Sequence, residues 1–271
     1  MALPLFPFFR WGLASTIRTQ PGRAARGTNH LTPAPTVLSL VIPAYNEALR
    51  LPATLRRMRE YLDDAGEDYE VIVVDDGSTD DTVATVRTFE ARWPQLSVLA
   101  LERNCGKGAA VREGMLRASG SERAFSDADL STPIEELPRL RERLGGDCHV
   151  AIGSRGTTES VLEVRQPTWR ESMGRLYNVL LRLLVLPDIH DSQCGFKIYT
   201  ATAAEACFRP LKTMRYGFDA EVLVRARKHG WTIAEVPVRW RHVEASRVDS
   251  IRDSTRMLYD LVRLRLGRLA R

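Results

Sequence analysis

Among its four cysteines, Cys105, Cys148, Cys194 and Cys207, the chain of 271 residues has no C-x-x-C pair. That excludes a zinc framework and a disulfide scaffold, and fits a reducing compartment. No uncharged apolar run reaches the ~18 residues that a membrane-spanning helix requires. A G-x-G-x-x-G turn after a strand is missing, which argues against a nicotinamide or flavin fold, and there is no Walker P-loop. Internal repeats are lacking as well. The first 46 positions contain no acid, and their charge comes only from Arg10, Arg18, Arg23 and Arg26. Together with "LPLFPFFRWGLA", this makes residues 1–35 a basic tail with three readings: disorder, an Arg-rich targeting peptide, or a surface anchor for membranes.

What is present is ordinary for a globular protein: 44% hydrophobic and 27% charged residues. The length suits one large α/β domain or two small ones. A net charge of +5 points to an anionic partner, whether nucleic acid, a phosphorylated substrate or an acidic membrane surface. Because the arginines gather at the termini without interleaved aromatics, nucleic acid is the weakest of these.

From residue 37 strand and helix patterns alternate. "VLSLVIP" reads as a buried strand and "EALRLPATLRRMREYLDD" as a helix with Leu51, Leu55, Met58 and Leu62 on one face. "EVIVVDD", "SVLAL", "RAFSDAD" and "HVAIGSR" read as further strands, with helices over "DTVATVRTFEARW", "GKGAAVREGMLRAS" and "STPIEELPRLRERL" between them. Such an order implies an α/β fold, a mainly parallel sheet with helices on both faces. Beyond residue 155 come an apolar, Arg-studded helix over "WRESMGRLYNVLLRLLVLP", the segment "DSQCGFKIYT", two helices and the strand "TIAEVPVRW". Residues 36–245 would form one catalytic domain and 246–271 a basic amphipathic helix.

Ligands of an open parallel sheet sit beyond the carboxyl ends of its strands. Three chemically loaded stretches fall there. In "VVDDGSTDDT", Asp75 and Asp76 end a strand and could accept hydrogen bonds from ribose hydroxyls or a base N–H, while Asp80 reads as a helix cap. In "FSDADLSTP", Asp127 and Asp129 stand at i and i+2. On extended backbone they would point the same way, roughly 7 Å apart, and could share one divalent cation such as Mg²⁺ or Mn²⁺. Otherwise Asp129 introduces the next helix, yet Ser131 or Thr132, with Pro133, already supplies a start signal. In "AIGSR", Arg155 and the later Arg170 could hold phosphate in bidentate fashion, or pair with Glu159, Glu163 or Glu171. Lys107, between Gly106 and Gly108, stands at a helix start where backbone N–H groups attract anions. His190 reads as structural, and Asp219 and Glu221 suit a helix beginning.

The stretches "LVIPAYNEALRL", "VIVVDDGSTDDT", "NCGKGAAVREGM", "SDADLSTP", "AIGSR", "DSQCGFKIYT" and "GFDAEVL" follow one another as in family 2 inverting glycosyltransferases with the GT-A fold. Within that family the chain resembles the dolichyl-phosphate (polyprenyl-phosphate) glucosyltransferases, over residues 37 to about 266. The resemblance implies a nucleotide-sugar pocket lined by Pro43, Tyr45, Glu47, Asp75 and Asp76, with Lys107 near it. It implies a metal-binding D-x-D at Asp127 and Asp129, an acceptor phosphate held by Arg155 and Arg170, and Asp191 beside the attacking phosphate. The donor it implies is UDP-glucose, with GDP-mannose, a soluble acceptor or a non-catalytic nucleotide-sugar-binding protein as the alternatives. A dianionic phosphate acceptor needs little deprotonation, so Asp191 is expected to orient rather than to act as a strong base.

A lipid acceptor implies work at the cytoplasmic face of a membrane, as a peripheral protein. The basic helix beyond Val248, with seven arginines in 247–271 and Ile251, Leu258, Leu261, Val262 and Leu269 at partial helical spacing, is one candidate surface. The helix over 173–186 is another. Packing against the core is the alternative for each.

Overall fold

A computed structural model describes residues 37–157, 159–164, 168–242 and 250–267. The N-terminal tail therefore lies outside the described residues, and so does Leu269.

The first strand, β1 (Leu38–Ala44), shows why the sheet is buried on both faces. Leu38, Leu40 and Ile42 enter one apolar cluster, while Val41 enters the other. The alternation follows from the period of two along a strand. β2 (Tyr69–Asp75) repeats it, with Val71 and Val73 on one side and Ile72 and Val74 on the other. β3 (Leu96–Ala100), β4 (Glu122–Ser126), β5 (Cys148–Ser154), β7 (Phe196–Thr200) and β8 (Thr232–Pro237) complete a seven-stranded sheet in the order β3-β2-β1-β4-β7-β5-β8. All neighbours pair parallel except β7, which runs antiparallel to both β4 and β5. β6 (Val161–Val164) and β9 (Arg239–Arg241) form a separate parallel pair. The alternation of motifs foretold the parallel majority. It did not foretell β7, which begins one residue after Gly195.

One face carries α1 (Leu51–Ala65), α2 (Thr82–Glu90) and the short α4 (Leu137–Arg141). α1 buries Leu51, Leu55, Met58 and Leu62, the stripe expected from its spacing, and starts where Pro52 can sit without an N–H to lose. The other face carries α3 (Lys107–Arg117), α5 (Thr168–Leu184), α6 (Ala201–Phe208), α7 (Phe218–Lys228) and α8 (Ser250–Arg265). Met257, Leu261 and Leu264 of α8 are buried in this second cluster, and Leu258 packs against it. Leu258 and Leu261 were expected to insert into a membrane, but α8 spends them on the core. Among the described residues no helix is long and apolar enough to cross a membrane.

Candidate active site

The carboxyl ends of β1, β2 and β4 open on a cavity of about 380 Å³. Pro43, Tyr45 and Glu47 line it from the end of β1, Asp76 from β2, Gly106 and Lys107 from the start of α3, and Asp127 and Asp129 from beyond β4. The carboxylate of Glu47 is held by Arg50, at 2.6 Å from Nε and 2.5 Å from Nη2, and Arg50 also faces the cavity.

Asp75 and Asp76 divide their tasks. Gly77, at φ 68°, turns the chain sharply after β2. Across that turn Asp75 Oδ2 accepts the Ser78 N–H at 3.0 Å, while its Oδ1 is buried with no hydrogen-bond partner among the described residues. Asp75 is absent from the cavity wall. Asp76 does line the cavity and accepts the N–H groups of Cys105 (2.7 Å) and Gly106 (2.8 Å). Burial raises its pKa, and these N–H groups and Arg215 counter that only in part. Asp80 accepts the Thr82 N–H at 3.0 Å, as a capping carboxylate does, and also the Ala48 N–H at 3.2 Å, so it ties the β1 loop to α2.

Two expectations about the Asp127–Asp129 pair fail. β4 stops at Ser126, so the aspartates lie on a turn closed by Leu130 N–H to Asp127 O (3.2 Å), and not on extended backbone. Leu130 takes a φ of 48° there. Nor do Ser131 or Thr132 cap a helix. The next element is a 3₁₀ turn at Ile134–Glu136 with no side-chain cap, and Asp129 Oδ1 itself accepts the Ser131 N–H at 2.9 Å. The turn still brings both aspartates to one cavity. Asp129 Oδ2 has no part in that backbone contact.

Lys107 offsets the repulsion between the two carboxylates. Its Nζ lies 2.5 Å from Asp127 Oδ1. Burial would lower the lysine's pKa, but the charges of Asp127 and Asp219 outweigh it, and the net shift is upward. The backbone at the start of α3 is less open to an anion than the glycines suggested. The turn before α7 crosses it, and Ala109 N–H donates to Met214 O at 3.0 Å. That turn also brings Arg215 and Tyr216 to the cavity, where Asp253 and Arg256 of α8 join them. No motif announced these four residues, since they come from segments more than 80 residues away.

The "DSQCGFK" segment forms a second group of charges. Asp191, 2% exposed, accepts Arg155 Nε at 2.7 Å, Arg155 Nη2 at 2.9 Å, and the N–H groups of Arg155 and Gln193, both at 3.0 Å. Burial would raise its pKa, but the Arg155 charge and these donors win and hold it down at about 2. Arg155 thus pairs with Asp191, while the side chains of Glu163 and Glu171 lie outside the described set. Its guanidinium also lies over the Trp240 ring, 5.5 Å from the centroid. Lys197 is fully buried and donates to Asp219 Oδ1 and Cys194 O, each at 2.6 Å. Asp219 is therefore the counter-ion of Lys197. Glu221 accepts the N–H groups of Lys212 (3.0 Å) and Thr213 (2.8 Å) and pairs with Arg225, which is a structural role. Arg170 lies in α5, and its side chain is outside the described set.

The donor set suits a hard divalent cation. Two carboxylates share one cavity, and among the described residues no cluster of three or more metal-ligating side chains exists. Mg²⁺ and Mn²⁺ are bound by one or two carboxylates together with substrate phosphates, and not by all-protein cages.

Residues 39–208 match the family model described as Glycosyl transferase family 2, which is more than half of the chain. The chain belongs to glycosyl transferase family 2. Curated relatives include a dolichyl-phosphate beta-glucosyltransferase of Dictyostelium discoideum, 33% identical over 84% of this chain and 73% of that protein. Another carries the same name in Drosophila melanogaster, 37% identical over 78% of this chain and 69% of that one. The human protein of that name is 33% identical over 84% and 75%. Among solved structures, glucosyl-3-phosphoglycerate synthase from Mycobacterium tuberculosis in complex with Mn²⁺, UDP and glucosyl-3-phosphoglycerate superposes with a TM-score of 0.65, at 20% identity over 86% of this chain and 80% of that one. At that identity the likeness establishes the GT-A fold of this family 2 member.

Proposed function

We propose that this family 2 glycosyltransferase transfers a glucosyl group from UDP-glucose, with inversion at the anomeric carbon, to the phosphate of a dolichyl or other polyprenyl phosphate. The observation that carries the reading is the joining of two charge groups through one loop. The cavity holds the carboxylates Asp127 and Asp129 with Lys107, and Asp191, paired with Arg155 from the end of β5, belongs to the loop whose Gly195 packs against Asp127. Relatives 33–37% identical and named for this activity support the same acceptor.

Pro43, Tyr45, Glu47 and Asp76 would hold the nucleoside, with Asp75 bracing the turn behind them. Asp127 and Asp129 would hold a divalent cation, Mg²⁺ or Mn²⁺, whose charge stabilises the departing diphosphate when bound. Lys107 is placed to serve the same anion from the protein side. A phosphate oxygen of the acceptor attacks the anomeric carbon, and the bond to the diphosphate oxygen breaks with its electron pair leaving on UDP. The acceptor is mostly dianionic near neutral pH, its second pKa being about 6, so no residue has to take a proton. Asp191 would orient Arg155 and not act as a base, because its oxygens are committed to Arg155 and Gln193. Arg155 keeps N–H groups beyond those given to Asp191, and together with Arg170 it would hold the acceptor phosphate.

The acceptor's tail stays in a bilayer, since each exposed CH₂ costs ~0.8 kcal/mol. Peripheral attachment at the cytoplasmic face follows as part of the proposal. Leu176, Val179 and Leu183 form an exposed stripe on α5, and Tyr259 and Val262 of α8, with Leu266 just past its end, form another, α8 packing beside α5. Exposed Arg175 and Arg265 lie on the same helices, and such cations attract anionic headgroups. The deciding test is transfer from a panel of nucleotide sugars to a fluorescent polyprenyl phosphate, with product detected by chromatography. UDP-glucose as the preferred donor is the expected result. Preference for GDP-mannose, or for a soluble acceptor, would replace the reading.

A further inference from the structure

Glu235, a residue of β8 opposite Ile152 of β5, is one that no motif singled out. Its side chain is largely shielded, with 10% exposed, and both carboxylate oxygens are engaged. Oε1 accepts Ser154 Oγ–H at 2.6 Å and the Asp191 N–H at 2.7 Å. Oε2 accepts the His190 N–H at 2.9 Å and faces His190 Nδ1 at 3.0 Å. A carboxylate offers about four lone-pair sites, so this one is fully used.

The partners come from two segments: the last residue of β5 and the loop that carries Asp191. Those same segments meet in the Arg155–Asp191 pair. Burying a carboxylate is costly without full compensation, and an apolar residue would fill the strand position with no such demand. What the acid adds is a fixed distance between Ser154, whose successor is Arg155, and Asp191. We propose that Glu235 is a positioning residue for the acceptor phosphate: it sets the place of Asp191, which in turn aims the Arg155 guanidinium. This rests on the assignment of Arg155 to the acceptor.

Each oxygen accepts one backbone N–H. A glutamine at this position therefore turns its NH₂ toward a backbone donor in either orientation, and the loop has to shift. The experiment uses the full chain with UDP-glucose and a short-chain polyprenyl phosphate. Glu235→Gln is expected to raise acceptor KM about tenfold, the size of one lost charged hydrogen bond, while calorimetric affinity for UDP stays at the wild-type value. Arg155→Ala is expected to raise acceptor KM as well. On the Arg155→Ala background, Glu235→Gln should add no further rise, because residues acting through one another are not additive. An equal rise on both backgrounds would make Glu235 a general structural residue and overturn the proposal. An unchanged acceptor KM in Glu235→Gln, beside a raised one in Arg155→Ala, overturns the role of Glu235 alone. An unchanged KM in Arg155→Ala overturns the acceptor assignment itself. Should Glu235→Gln fail to fold, Ser154→Ala removes one of the same donors and carries the same comparison at smaller amplitude.

Discussion

Asp127 and Gly195 are packed so closely that a Cβ on Gly195 would lie 1.9 Å from Asp127 Oδ2 and 2.3 Å from its Cγ. The backbones are joined as well, since Asp127 N–H donates to Gly195 O at 3.0 Å. The glycine of "DSQCGFK" is thus explained by the carboxylate that rests on it, and the loop bearing Asp191 is fastened directly to the D-x-D turn.

Gly195→Ala should therefore push the Asp127 carboxylate out of place. The cost in stability is expected to be about 1–3 kcal/mol, as for other overpacked sites. The loss in function should be larger, with the concentration of Mn²⁺ needed for half-maximal turnover rising at least ~10-fold. A cation titration of transfer activity checks this, and an unchanged midpoint would mean that the contact is relieved elsewhere.

Asp127→Asn removes one negative charge at nearly constant shape. Turnover is expected to fall at least ~100-fold, in the range for deleting a major electrostatic stabiliser. The partner lysine reports on the same change: with Asp127 neutral, Lys107 loses the nearer of the two carboxylates that raise its pKa. Wild-type activity should also vanish in excess chelator. Full activity under those conditions would remove the cation from the proposal.

The Asp191–Arg155 pair makes a prediction about acid. A carboxylate whose folded pKa is depressed stabilises the fold above its unfolded pKa, and that contribution is lost as pH falls through the folded value. For Asp191 the window runs from about 4, the ordinary value for aspartate, down to about 2. The contribution is on the order of 2 kcal/mol at neutral pH. Urea unfolding of wild type and Asp191→Asn should therefore differ most above about pH 5 and converge only at about pH 2 and below, where the folded carboxylate is itself protonated. A difference that stays constant down to acid would mean that the pair contributes through packing and not through charge.

At the membrane, removing the whole of α8 is a poor test, because Met257, Leu261 and Leu264 belong to the core. Substitution of the exposed stripes is the sharper one. Leu183 is 75% exposed and Val262 50%, so Leu183→Glu with Val262→Glu should change stability little while weakening sedimentation with anionic liposomes. Wild-type binding should also fall as salt rises, since screening acts over ~8 Å at physiological ionic strength. Equal sedimentation of both proteins at every salt concentration would assign attachment to another surface, such as the N-terminal "LPLFPFFRW".

The sequence by itself carried the parallel α/β order, the stripe of α1, the family and the two carboxylates of "DAD". These are local or ordered signals: an apolar period of two or of 3.6, and motifs in a fixed succession, survive without any knowledge of distant contacts. Tertiary structure alone decided the rest. Only folding brings Lys107 to Asp127, Asp191 to Arg155 and Glu235 to both ends of that pair, because ion-pair partners are chosen by three-dimensional proximity and many acids stand near each arginine in sequence. The antiparallel β7 escaped notice because its residues include Lys197, whose charge breaks the apolar pattern and is met in the fold by Asp219, 22 residues away. The apolar residues of α8 were ambiguous for a similar reason. A helical stripe states which residues share a face, and the neighbouring core decided that Leu261 is buried while Val262 meets solvent.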